Sequence, residues 1–129
     1  MADQEPNEQP TIRTIAMPAD LNPAGDVFGG WLLSQMDMAG GIAAAKRAQG
    51  RIATVAIDAM VFHRPMKLGD VLSCYCTVER VGRTSIAIMV EAWAHGRPGG
   101  DSRKITAGRF TYVAIGPDGR SRPVPAATE

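Results

Sequence analysis

The chain lacks the features that would place it in several common classes. Its 129 residues contain two cysteines, Cys74 and Cys76, too few for a disulfide framework. Their i, i+2 spacing sets both thiols on one face of a strand, which disfavours a bond between them. Two thiols make no zinc site unless His63 or His95 joins them, so both read as small core residues. No apolar run is long enough to cross a bilayer, and no membrane partner is expected. With 14 Lys and Arg against 13 Asp and Glu, the net charge of +1 offers no broad basic face for nucleic acid. A charged ligand would have to be met by a few local residues. The opening "MADQEPNEQP" is acidic and polar, unlike a secretory leader, and a soluble cytoplasmic protein is the expectation.

What is present reads as one domain over residues 11–116, flanked by Pro-, Gly- and charge-rich tails at 1–10 and 117–129. A short β-like run, "TIRTIAMP", ends at Pro18, and a turn-rich loop follows. From Phe28 to Gln49 the composition is helical, with Gly50 as a plausible stop after Lys46 and Arg47. Apolar residues lie nearly all round this segment, which predicts a helix buried on most sides. Four strands of about 10–12 residues are expected after it, in "RIATVAIDAMVFHRP", "GDVLSCYCTVERVG", "RTSIAIMVEAWAHG" and "SRKITAGRFTYVAIG". Breaks at Gly69, Gly82 and 96–100 suit hairpin turns, so consecutive strands should pair antiparallel. The class is α+β, with long strands curling round one helix.

The stretch "NPAGDVFGGWLLSQMDMAGG" is unusual within that plan. It holds two glycine pairs and an acid, Asp37, although helical glycine costs about 1 kcal/mol and a buried carboxylate needs a partner. The run "MPADLNPAGDVFGGWLLSQMD" closely resembles the start of the YciA-type acyl-CoA thioesterases, a branch of the hotdog-fold superfamily. Further matches are Phe62, Pro65, Gly69 and Asp70, "VGRTS" at 81–85, "EAW" at 91–93 and "YVA" at 112–114. The resemblance spans about residues 12–125. Many hotdog enzymes carry His before the Gly pair; here, as in the YciA-like branch, the residue is Phe28. The resemblance implies a hotdog fold, hydrolysis of acyl-CoA to a carboxylic acid and CoA, and no cofactor beyond the CoA of the substrate.

Thioester hydrolysis needs donors aimed at the carbonyl oxygen and a base or nucleophile at the carbonyl carbon. Gly29 and Gly30 stand where the helix begins, where backbone N–H groups have no intrahelical partner and missing side chains admit a ligand. The alternative is a tight turn needing positive φ. Asp37 matches the family's catalytic Asp, as base or nucleophile; the alternative is a carboxylate satisfied by a neighbouring hydroxyl or backbone group. The family suggests that Asn22 sits near the acid and positions water or the carbonyl, while an Asn-Pro pair alone suggests a turn. Asp26 suits an N-cap or first-turn charge. Thr54 is a candidate hydroxyl at the site. Arg64, Arg83, Thr84 and Ser85 are candidates for the CoA phosphates, and Arg120 and Arg122 could fold over the nucleotide. His63 and His95 read as strand or turn residues, Trp31 and Trp93 as packing; no metal ligands are expected.

From Gly30 to Asp37 is about 10.5 Å along a helix axis. One chain therefore cannot easily set both groups on one carbonyl, whereas two antiparallel copies across a two-fold axis could. An obligate homodimer with composite sites is expected, and the family implies a trimer of dimers. A hotdog dehydratase would need a His in or just before the helix, which is lacking. A non-catalytic acyl-CoA sensor is the remaining alternative.

Overall fold

The computed structural model describes residues 4–58, 60–96 and 100–127. Strand β1 (Ile12–Ile15) is followed by a single 3-10 turn at Pro18–Asp20 and by helix α1 (Gly29–Ala48). Four strands follow: β2 (Ile52–Asp58), β3 (Val71–Val81), β4 (Ser85–His95) and β5 (Arg103–Ala114). They form one antiparallel sheet in the order β1-β3-β4-β5-β2. One long helix lying on a curled antiparallel sheet is the hotdog architecture that the resemblance implies.

Helix α1 buries a single stripe, Leu32, Met36, Ala39, Gly40, Ala44 and Ala48, against the sheet. Four of these six are Ala or Gly, which lets the helix axis come close to the strands. Facing them are Leu72, Cys74, Ile86, Ile88, Val90, Phe110 and Tyr112, and the Phe110 and Tyr112 rings stack at 6.5 Å. The helix ends on Gln49, which takes the left-handed conformation at φ 56°. The expected stop at Gly50 is thus one residue late.

Three expectations need correction. The helix is not buried on most sides: Met38 and Ile42 are about half exposed, because the sheet curls over one face only. The segment from 51 to 65 is not a long strand paired with its successor. Strand β2 has seven residues, lies at the sheet edge and pairs with β5. Gly69 is therefore no hairpin turn; it takes φ 81° in the crossover from β2 to β3 and donates its N–H to Ala16 O. Beyond β2 the chain leaves the ladder and is tied down by His63 N to Ile105 O and by Thr106 Oγ1 to Val61 O at 2.6 Å.

After β5 the chain folds back. Arg122 donates to Ile115 O at 3.2 Å and, through Nη2, to Ala48 O at 2.9 Å, while Val124 packs on the core. Arg122 thus caps the carbonyl end of the helix, where a cation is favoured, and its guanidinium is already engaged rather than held over a nucleotide.

Candidate active site

The loop before the helix is built on Asn22. Its side-chain oxygen accepts from Ala24 N at 2.9 Å and Asp26 N at 3.1 Å, an Asx turn that aims the chain into α1. Asp26 pairs with Lys67 across a short antiparallel bridge and does not cap the helix. The N-cap is Phe28, whose side chain makes no capping bond. Leu32 N is the first amide bonded back into the helix, to Phe28 O at 3.2 Å. The N–H groups of Gly29, Gly30 and Trp31 consequently have no acceptor among the described residues. Neither glycine has positive φ, so backbone strain does not require them. A Cβ on Gly29 would meet only Phe62 at 3.7 Å, and one on Gly30 nothing within 4 Å.

Gly29 lines a cleft of about 320 Å³ together with Asn22, Leu32, Phe62, Arg64 and Met66. The structure therefore brings Asn22, Gly29 and Arg64 together. The far wall of the cleft is held by Val27 N to Met66 O and by the buried Asp70, which accepts from Lys67 N and Arg103.

Asp37 lies two turns further along the helix and does not line this cleft. Its Oδ1 accepts from Thr54 Oγ1 at 2.8 Å and from Tyr112 OH at 3.1 Å; Oδ2 has no partner among the described residues. Thr54 and Tyr112 are cross-strand partners, next to a register shift between Thr54 and Ala56. Burial, then the charge and hydrogen bond of Asp37, push the Tyr112 phenol above its ordinary range, which keeps its hydroxyl a donor.

Arg83, Thr84 and Ser85 form the tight β3–β4 turn, closed by Gly82 N to Ser85 O. They sit beside the returning C-terminal segment, through Val124 N to Arg83 O, and none lines the cleft. Their turn thus lies toward the carbonyl end of α1. Ser85 borders a groove on the sheet face away from the helix, with Arg80, Ala87 and Arg109.

A family model described as the thioesterase superfamily matches residues 24–99. The chain belongs to this superfamily. It is 47% identical over 126 residues to the acyl-CoA thioester hydrolase YciA of Salmonella typhimurium, with 95% of each chain covered. The hexameric thioesterase of Yersinia pestis is 45% identical, with a TM-score of 0.89 over 95% of this chain and 100% of that one. A hexameric hotdog fold thioesterase of Campylobacter jejuni is 41% identical, with a TM-score of 0.86 over 92% and 91% of the two chains. The superfamily match holds Gly29, Gly30, Asp37 and Thr54 but stops short of Tyr112. Sequence reasoning missed that residue as a site component. The signal available was a tyrosine on an inward strand face, whose buried hydroxyl needs a partner.

Proposed function

We propose that the protein hydrolyses acyl-CoA thioesters to a carboxylic acid and CoA, in composite sites of a homodimer. The observation that carries this is the open start of α1 in a chain of this superfamily, where Gly29 lines a cleft and the N–H groups of Gly29 and its neighbour Gly30 are both unpaired among the described residues. They suit the oxygen of a thioester carbonyl as it gains negative charge. The Asp37 carboxylate of the second protomer acts at the carbonyl carbon through Oδ2, by drawing a proton from water or by direct attack. Collapse of the adduct expels CoA as its thiolate; after direct attack this leaves an acyl–Asp37 anhydride, which water cleaves to the carboxylic acid and the free Asp37 carboxylate. Asn22, whose side-chain oxygen is held in the Asx turn, offers its amide N–H groups to water or the carbonyl.

The dimer reading rests on the uncovered edge strand. Val55 (58% exposed), Ile57, Met38 and Ile42 form an apolar surface beside the free edge of β2. Such an edge invites pairing with a second copy. Antiparallel pairing of two β2 strands continues the sheet and sets the helices side by side, head to tail. The carbonyl end of one helix, with its Arg83–Ser85 turn, then lies toward the cleft of the other protomer, where Arg64 also stands. These residues are suited to the CoA phosphates. The hexameric relatives support three such dimers per particle. No helix among the described residues is long and apolar enough to cross a membrane.

The test is thiol release from acetyl-, butyryl- and decanoyl-CoA, read with a thiol reagent. Wild type turns over, and Asp37→Asn loses about 10²- to 10⁴-fold in kcat. Wild type that binds CoA esters without releasing thiol favours the sensor reading instead.

A further inference from the structure

We infer that Tyr112 is a positioning residue for Asp37 and that Gly40 is a glycine in order to admit the Tyr112 hydroxyl. The inference rests on the reading of Asp37 as the acting carboxylate, and it says how that carboxylate is aimed.

A carboxylate on a helix turns easily about its last torsion, which has broad, two-fold wells. Two donors on one oxygen remove that freedom: Thr54 Oγ1 and Tyr112 OH both reach Oδ1, so the carboxylate plane is set and Oδ2 is left for chemistry. The two donors are not equivalent. Thr54 is exposed and lies on the edge strand, whereas Tyr112 is fully buried on β5, between β4 and β2, with its ring stacked on Phe110. Tyr112 OH also lies 3.0 Å from Asp37 O, so the same hydroxyl bridges the backbone and the side chain of the acid. Tyr112 is the rigid anchor of the pair.

The helix is cut away to let it in. A Cβ on Gly40 would stand 2.2 Å from the Tyr112 oxygen, 3.0 Å from Cζ and 3.2 Å from Cε2. The same addition at Gly41 meets only ordinary contacts, Ile52 at 3.7 Å and Tyr112 at 3.9 Å. Of the second glycine pair, one member therefore carries the steric demand. Glycine within a helix is less favourable than alanine, and here the missing methyl is what brings the hydroxyl to Asp37.

The experiment compares full-length Tyr112→Phe, Gly40→Ala, the double variant and Asp37→Asn, each checked for melting temperature and particle size. Substrates are butyryl- and decanoyl-CoA. Tyr112→Phe is expected to lower kcat about 10- to 100-fold with KM changed less than about twofold, since a misaimed group costs rate rather than binding. Gly40→Ala gives a similar loss by expelling the hydroxyl. The double variant turns over no more slowly than Tyr112→Phe, because both changes break one hydrogen bond. Should Gly40→Ala or the double variant fail to fold, since a Cβ there still stands 3.0 Å from Cζ and 3.2 Å from Cε2 of the ring, the kcat of Tyr112→Phe against wild type decides the inference alone. A Tyr112→Phe enzyme with wild-type kcat, or losses that multiply in the double variant, overturns the inference. Wild-type kcat in Asp37→Asn instead overturns the assignment of Asp37 itself.

Discussion

Arg103 Nη2 and Asp70 Oδ2 are 2.5 Å apart, with the Asp70 side chain 8% exposed and that of Arg103 25%. The same carboxylate oxygen accepts from Lys67 N at 2.9 Å, and Arg103 also reaches Pro65 O at 3.5 Å. This pair fastens the crossover that forms one wall of the cleft to the start of β5. Arg103→Met would leave a nearly buried carboxylate without its cation. The partial exposure of Arg103 sets the expected cost near the lower end of such losses, about 2–3 kcal/mol, read as a shift in the urea unfolding midpoint.

Arg122 ties the C-terminal segment to the end of α1 through Ala48 O and Ile115 O. Arg122→Ala should lose about 1–2 kcal/mol of stability and leave kcat and KM for acyl-CoA unchanged. A raised KM with unaltered stability would return this arginine to the nucleotide.

Burial, and then the neighbouring Cys76, push the Cys74 thiol from an ordinary 9.0 up to about 12. Folding thus favours its protonated form. The stability linked to this thiol is full below pH 9.0 and is lost as pH rises toward 12. In the native protein at pH 8, an alkylating reagent should leave Cys74 unlabelled by mass spectrometry, with labelling restored in urea.

The uncovered strip of Met38, Ile42, Val55 and Ile57 should be the seam between protomers. Ile42→Glu or Val55→Glu places a charge in that seam. The expected result is a smaller particle by light scattering, with thioesterase activity lost in parallel. Unchanged mass and activity would move the seam elsewhere.

Much of this architecture is legible in the residues. Gly29 to Ala48 forms the helix at nearly the expected bounds, and the alternation of Ile86, Ile88 and Val90 marks the inward face of β4. The pairing of β2 is not legible. Periodicity reports which face a strand buries, not which neighbour it takes, and it does not mark where the strand stops: β2 ends at Asp58, and 60–66 lies outside the ladder. The same limit hid Tyr112, because only the β2–β5 register sets it opposite Thr54 and over Asp37. Asp26 shows another limit: a residue of capping type two places before the N-cap Phe28 found a stronger partner in Lys67, on a loop 41 residues away.

The central claim is that one protomer supplies the helix start and its mate the acid, and subunit mixing tests it most directly. Gly29→Pro removes the amide at the first helical position, where proline is tolerated, and Phe28 at ψ 134° already suits a following proline. Asp37→Asn removes the acid, and each variant alone should be nearly inactive. Mixed by co-refolding in equal amounts, they should recover about a quarter of wild-type turnover, since half the dimers are mixed and one of their two sites is intact. No recovery in particles shown by mass spectrometry to contain both chains would contradict the shared site.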